Sequence, residues 1–441
     1  MKITLFTPSS HQVYKNIKRS NKRQPTLGPA YLMATLLDKG HQVTYLDGDA
    51  LDLVQTNAVV EILKTDSQVV GISLTTPLFS ETRDVARLLR QSGYRGHITL
   101  GGAHPTYLPE ESLKLIPEAN SVVMGEGDNT IVALANTIEK GGNLEEIRGI
   151  AYRTNHLDKD IIVVNQHAEL VRNLDDLPLP ALEYYPLDRY KSPMWTEGEY
   201  LKMGVLITSR GCPFQCEFCA SGAESLITFR FHSVKRVLVE IKRLVEKFKV
   251  DYLVFNDDTF TVNKKRCIEI CNCMKKEGIS TPFMVTSRVN TVSYELLKTL
   301  KEVGCFLITY GIESGSPEIL KEIGKKISLE QARLAVKWAQ DLGIKVVGNF
   351  MFGHWHDTVE TCQQTLDFAL ALDCDISQFA ITIPYPGSVL HRRALAENRI
   401  FPTEDYNDFG YYGNMPWKHP NLSSEELIAF QKEAYRLTQK V

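Results

Sequence analysis

The sequence predicts an α/β chain made of two parallel sheets. One is doubly wound, Rossmann- or flavodoxin-like, over residues 1–140; the other is a partial, TIM-like (β/α)6 barrel over 201–385. Three observations predict this. Short, fully apolar runs alternate with amphipathic segments twice along the chain, the signature of parallel strands covered on both faces. The texture changes between the two runs, where 141–200 becomes rich in Pro and Asp. The strand ends of the first run carry clustered Gly, Ser and Thr, at the edge where doubly wound sheets bind ligands.

In the first run the strands are ITLFTP (3–8), QVTYLD (42–47), VVGISL (69–74), HITLGG (97–102) and SVVMGEG (121–127). Helices are expected over 27–39, 51–64, 80–93, 108–116 and 128–140. The loops SLTTP, GGAHPT and GEGDNT end three of the strands. Small residues there let backbone amides and hydroxyls approach a ligand, although tight turns call for the same residues. Three such loops on one sheet edge give a bound cofactor equal standing with that simpler reading.

Residues 141–200 form a linker or strap. IRGIAYRTNHLDKDIIVVNQ reads as a hairpin-like strand pair, and NLDDLPLPALEYYPLDRY reads as a strap rather than a core element. From 201 the alternation resumes with GVLITS, YLVFND, PFMVTS, CFLITYG, KVVGNFMFG and SQFAITI as strands. Helices between them are expected at 233–247, 263–277, 293–303, 328–342 and 358–372. Residues 386–441 make a small C-terminal extension: an aromatic segment resembling a lid or outer wrap, then a helix near 423–438. Ser423 is its expected N-cap, with Glu426 three residues on.

Composition excludes several function classes. Hydrophobic residues at 43% and charged residues at 23% are those of a soluble globular chain. A net charge of −3 argues against a general nucleic-acid binder. No run of eighteen apolar residues exists, so no membrane span is expected. The apolar start MKITLFTPSS is too short for a signal-peptide core, and a cytoplasmic location is expected.

The nine cysteines are odd in number and absent from the first 211 residues, which is not a disulfide framework. Cys267 and Cys271, one helical turn apart, read as small buried apolar residues. Cys212, Cys216 and Cys219 are different: they are spaced C-x3-C-x2-C within SRGCPFQCEFCAS, directly after the first strand of the second run. Zinc would need a fourth protein ligand, and no second CxxC pair stands nearby. A thioredoxin-like CxxC would not need Cys212, and a four-cysteine ferredoxin run is missing. The remaining reading is a [4Fe–4S] cluster with three thiolates and one open iron.

This motif in this context resembles the radical S-adenosylmethionine (SAM) superfamily; Phe218 stands where an aromatic residue usually precedes the last cysteine, and the resemblance implies that it contacts SAM. The resemblance implies that SAM chelates the open iron and that an electron from the cluster cleaves it to a 5′-deoxyadenosyl radical. It also implies an electron donor such as a flavodoxin or ferredoxin. In FNDDTFT, Asp257 and Asp258 stand where the family holds the methionyl amine; a helix N-cap is the alternative. Arg288 in SRVN is a candidate for the SAM carboxylate or a barrel salt bridge. Glu313 and Ser314 in TYGIESGS match a position contacting the SAM ribose or methionyl group. Gly348 and Gly353 fit the strand-five motif loosely, and His354, Trp355 and His356 depart from its usual ending.

A doubly wound domain ahead of such a barrel resembles the cobalamin-binding subgroup. The resemblance implies that Ser73, Thr75, Thr76, Gly101, Gly102, His104, Gly125, Glu126 and Gly127 line the cobalamin pocket. The usual D-x-H-x-x-G loop reads SSHQVYK here, so His11 lacks its orienting carboxylate. Base-off cobalamin without a histidine ligand is therefore expected. The basic loop 11–24 is either solvated or faces an anion. The implied function is a cobalamin-dependent radical SAM methyltransferase that methylates an unactivated carbon of a small-molecule substrate through methylcobalamin. Oxidative cyclisation or ring contraction is one alternative, and a redox-sensing cluster without catalysis is another.

Overall fold

The computed structural model describes residues 1–10, 24–156, 159–191, 200–221, 228–410 and 415–438. Its contacts divide the chain into two units: Met1–Lys202 with Thr403–Asp408, and Met203–Pro402 with Phe409–Val441.

The first unit alternates strands and helices: β1 (Lys2–Thr7), α1 (Leu27–Asp38), β2 (Gln42–Asp47), α2 (Gln55–Lys64), β3 (Val69–Ser73), α3 (Phe79–Gln91), β4 (His97–Gly101), α4 (Ala103–Tyr107), α5 (Pro109–Leu115), β5 (Ser121–Val123) and α6 (Asp128–Glu139). A hairpin, β6 (Ile150–His156) and β7 (Lys159–Val164), follows. The sheet order is β2-β1-β3-β4-β5-β6-β7. The first five strands pair in parallel and the last two join antiparallel. The 2-1-3-4-5 order is the flavodoxin-like one, which reverses direction beside β1. Ile3, Leu5 and Phe6 are all buried although neighbours in a strand point to opposite faces, because helices cover both sides.

The Pro- and Asp-rich strap is more than a linker. Leu174, Leu182 and Tyr190 are buried. Tyr185 stacks on Tyr45 with centroids 4.2 Å apart, and the Tyr190 hydroxyl donates to Asp47 Oδ2 at 2.7 Å. The segment thus closes the β2 end of the sheet. Its apolar residues are irregularly spaced, which is why periodicity did not reveal their burial.

The second unit contains β8 (Met203–Leu206), a small ribbon of β9 (Ser209–Arg210) and β10 (Arg230–Phe231), α7 (Val234–Lys242), β11 (Tyr252–Phe255), α8 (Lys264–Lys276), β12 (Phe283–Ser287), α9 (Tyr294–Glu302), β13 (Cys305–Glu313), α10 (Pro317–Glu322), α11 (Leu329–Asp341), β14 (Lys345–Phe352), α12 (Val359–Leu372), β15 (Ile376–Ile381), α13 (Val389–Ala396) and α14 (Ser424–Thr438). The main sheet is parallel in the order β8-β11-β12-β13-β14-β15, the strand succession of a β/α barrel. Ser233, Asn263, Ser293, Ser328, Thr358 and Ser388 each accept a backbone N–H three residues on. These caps set where the helices start after the strand-end loops.

Ser423 and Glu426 form the expected reciprocal cap of α14, at 3.2 and 2.7 Å. That helix covers the edge strand β15: Gln431 Nε2 and the Tyr435 hydroxyl both donate to the Phe379 carbonyl, at 2.8 and 3.1 Å. Cys267, Cys271 and Cys305 are core residues whose thiols burial pushes up to about 12. No helix among the described residues is long and apolar enough to cross a membrane.

Candidate active site

The cysteine loop leaves the sheet at the carboxyl end of β8 and turns at Gly211, whose φ is +81°. Cys219 N–H donates to the Cys216 carbonyl at 3.0 Å and closes a tight turn. That turn is bolted from both sides: Glu217 N–H donates to the Ile323 carbonyl at 2.9 Å, and its carbonyl accepts from Leu390 N–H at 3.0 Å. Gly324 has φ +67°, and a Cβ there would stand 2.9 Å from the Gln215 carbonyl, so only glycine lets the loop approach this closely. Phe218 packs on Ile319, Leu320 and Ile323.

Cys216 is buried, while Cys212 and Cys219 are half-buried. Burial raises the Cys212 and Cys219 thiols, and the two lie near enough to feel each other, Cys216 and Asp258. Among the described residues no three His, Cys, Asp or Glu gather around a single-ion position. Each thiolate of a cluster binds a different iron, so a cluster's ligands stand farther apart than those around one zinc. The donor set fits a cluster: three soft thiolates on one loop, with a cation beside them. That cation is Arg288, at the end of β12, whose Nη1 donates to Cys216 Sγ at 3.4 Å.

The paired aspartates separate in role. Asp257 is buried and its carboxylate is already occupied. It accepts from Thr208 N–H at 3.1 Å, from the Thr208 hydroxyl at 2.8 Å and from the Ser209 hydroxyl. Arg266 lies behind, donating to the Thr208 carbonyl at 2.9 Å and the His232 carbonyl at 3.1 Å. Asp257 therefore fastens the base of the cysteine loop and does not offer its oxygens to a ligand. Neither aspartate caps α8; Asn263 does. Asp258 is exposed, and desolvation by its surroundings raises its carboxyl.

Glu313 also has a partner. Its backbone is left-handed, φ +70°, at a register shift in β13, and its Oε1 lies 2.7 Å from Lys325 Nζ in a buried ion pair. A Cβ at Gly311 would collide with both charged ends. Ser314 is buried, with its hydroxyl 3.1 Å from Thr365 Oγ1. Sequence reading passed over Lys325 and Arg266: each meets its partner only through the fold, at separations no local motif encodes.

The ending after β14 is an enclosed aromatic and histidine cluster. His354 is buried, and burial lowers its pKa to about 3, so its ring is neutral; it lies 5.5 Å from Phe218. His419 Nδ1 accepts two backbone N–H groups, from Asn421 and Leu422, so its proton is on Nε2, which donates to the His354 carbonyl at 2.7 Å. Trp417 donates to the Thr382 carbonyl at 3.1 Å and stacks on Trp355. The described part of the aromatic segment thus wraps the carboxyl ends of β14 and β15. Tyr411 and Tyr412 lie outside the described residues.

In the first unit, pairing aligns Ser73 with Gly101 and Gly101 with Val123, so three loops leave one sheet edge side by side. Ser73, Thr75, Gly101, Gly102, Gly125, Glu126 and Gly127 are reachable by solvent there, whereas Thr76 and His104 are interior. His104 Nδ1 lies 3.1 Å from Thr76 Oγ1, and its ring packs edge-on against Phe79 and Tyr406. These two residues support the loops from beneath. The row of small residues fits a large planar ligand lying on backbone. Gly102, at φ +111°, would put a Cβ 2.8 Å from the Leu74 carbonyl. Gly102→Ala is expected to destabilise this unit by about 1–3 kcal/mol, read as an earlier midpoint in urea unfolding. His11 and the basic loop as far as residue 23 lie outside the described residues.

Residues 206–369 match the Radical SAM superfamily, and residues 16–135 match the B12 binding domain. The chain is 35% identical over 436 residues to the uncharacterized methyltransferase PH0819 of Pyrococcus horikoshii, covering 99% of this chain and 92% of that one. It is 25% identical to the anaerobic magnesium-protoporphyrin IX monomethyl ester cyclase of Rubrivivax gelatinosus, over 87% of this chain and 68% of that one. TsrM of Kitasatospora setae is a radical S-adenosylmethionine methyltransferase solved with cobalamin and a [4Fe-4S] cluster bound. It shares the fold with a TM-score of 0.71 at 17% identity, covering 90% of this chain and 75% of that one.

Proposed function

Because the chain belongs to the radical SAM enzymes that carry an N-terminal B12-binding domain, we propose that it is a cobalamin-dependent methyltransferase acting on an unactivated carbon of a small molecule. The observation that carries this reading is the three-cysteine loop, fixed at a strand end, in a chain whose other sheet presents a row of small, reachable residues. When bound, the cluster and SAM supply a carbon-centred radical, and the corrin supplies the methyl group.

The residues around these groups have separable tasks. Cys212, Cys216 and Cys219 would ligate the cluster. Asp258, the carboxylate left accessible, would receive the methionyl ammonium of SAM. Asp257 holds Thr208 and Ser209, and through them the start of the cysteine loop. Glu313 and Ser314 would act at the SAM site through the backbone they hold, since their side chains face Lys325 and Thr365. Ser73, Thr75, Gly101, Gly102, Gly125, Glu126 and Gly127 would line the cobalamin. It would be base-off with no histidine ligand, since the loop carrying His11 has Ser9 in place of the orienting Asp. A flavodoxin or ferredoxin would supply electrons. A cytoplasmic location goes with the cluster assignment, since cysteines clustered for metal chemistry belong to a reducing compartment.

Asp258→Asn is expected to weaken SAM binding about tenfold, a loss of about 1.4 kcal/mol, while stability stays within about 0.5 kcal/mol. Equilibrium SAM binding to the reconstituted protein checks this; unchanged affinity would remove Asp258 from the site. The resemblance to the Rubrivivax cyclase favours one second reading, oxidative cyclisation. SAM with a deuterated methyl group separates the two by product mass. Methyl transfer adds the labelled methyl in place of hydrogen, whereas cyclisation removes two hydrogens and adds no label.

A further inference from the structure

We propose that Arg288 is the built-in countercharge of the iron–sulfur centre and raises its reduction potential through the sulfur of Cys216. The inference rests on the radical SAM reading and concerns what this residue does before SAM binds. Arg288 is buried at the carboxyl end of β12. Its Nη1 donates to Cys216 Sγ at 3.4 Å, its Nη2 donates to the Lys325 carbonyl, and its Nε reaches Asn290 Oδ1 at 3.4 Å. The guanidinium face lies 3.9 Å from the centre of the Phe214 ring. Both Phe214 and Cys216 belong to the cysteine loop, so the loop grips the cation from two sides.

None of these partners is a carboxylate. Among the ion pairs of the described residues none involves Arg288, and the nearby Glu313 is engaged by Lys325. A buried guanidinium is strongly disfavoured unless an anion faces it. The group positioned to be that anion is the thiolate of Cys216. Reduction by one electron adds negative charge to a thiolate-ligated centre, so a fixed cation touching one ligand sulfur stabilises the reduced form more than the oxidised form. The contact is directional as well as charged: the planar fork holds Cys216 and the Lys325 carbonyl at once, which an ammonium cannot reproduce. Arg288 is thus a positioning and tuning residue.

A role confined to the SAM carboxylate makes a different forecast, because it leaves the centre unchanged when SAM is absent. The test is an EPR-monitored redox titration of the full chain, anaerobically reconstituted with iron and sulfide, without SAM. Arg288→Met is expected to lower the ratio of reduced to oxidised centre at fixed potential by about tenfold or more, about 59 mV for a one-electron couple. Arg288→Lys should fall between Arg288→Met and the unsubstituted protein. A potential unchanged in Arg288→Met overturns the inference, and weakened SAM binding at unchanged potential moves Arg288 to the carboxylate. If Arg288→Met does not fold or load, Arg288→Lys decides: a lowered potential supports the tuning role, and an unchanged one overturns it. An unsubstituted protein that assembles no [4Fe–4S] centre overturns the functional reading itself.

Discussion

Cys216→Ala is expected to leave the chain folded, lose the iron–sulfur centre and reduce SAM cleavage to background. The substitution costs stability, because the buried Arg288 loses the sulfur that faces it, but the side chain is small and the tight turn stays closed by a backbone bond from Cys219 to the residue 216 carbonyl. The chemistry has no substitute: two thiolates cannot hold a cube that three were placed to hold, and the next two cysteines along the chain, Cys267 and Cys271, are buried in α8. Iron and sulfide content after anaerobic reconstitution, together with 5′-deoxyadenosine formed under a low-potential reductant, reads both effects. Full iron loading and undiminished 5′-deoxyadenosine in Cys216→Ala would mean the cysteine loop is not the catalytic centre.

Asp257→Ala is expected to destabilise the second unit by about 3 kcal/mol. The substitution leaves the Thr208 amide and hydroxyl and the Ser209 hydroxyl without their acceptor in the interior. It also removes the carboxylate that balances the buried Arg266. Because Thr208 and Ser209 lead directly into the cysteine loop, cluster loading should fall along with stability. Asp258→Asn, one residue away, should do neither. Thermal unfolding of the two variants side by side separates the roles; equal stability of Asp257→Ala and the unsubstituted chain would contradict the lock.

The parts of this architecture that repeat were legible in the sequence. Apolar strand runs such as VVGISL and YLVFND, and the Ser423 cap with Glu426 three residues on, carry their structural meaning locally. Sequence periodicity therefore located both sheets, and SRGCPFQCEFCAS located the cysteine loop. What stayed hidden depends on contacts across the chain. Asp257 and Asp258 are indistinguishable as adjacent letters, and only the approach of Thr208 and Ser209, some fifty residues earlier, assigns one to the scaffold. His104 sat in a loop that suggested a ligand wall, yet Phe79 and Tyr406 enclose it. The Glu313–Lys325 pair spans a helix within one β/α unit, and the grip on Arg288 arises where separate units converge; no short motif records either. The buried strap residues were missed for the opposite reason: their spacing follows neither a helix nor a strand.

Whether the cysteine loop carries a cluster that cleaves SAM is decided by quantifying 5′-deoxyadenosine. The full chain, anaerobically reconstituted with iron, sulfide and cobalamin, is mixed with SAM and a low-potential reductant. 5′-Deoxyadenosine is expected from the unsubstituted protein, and none above background from Cys216→Ala. A fully loaded [4Fe–4S] centre that yields no 5′-deoxyadenosine with any reductant would contradict it.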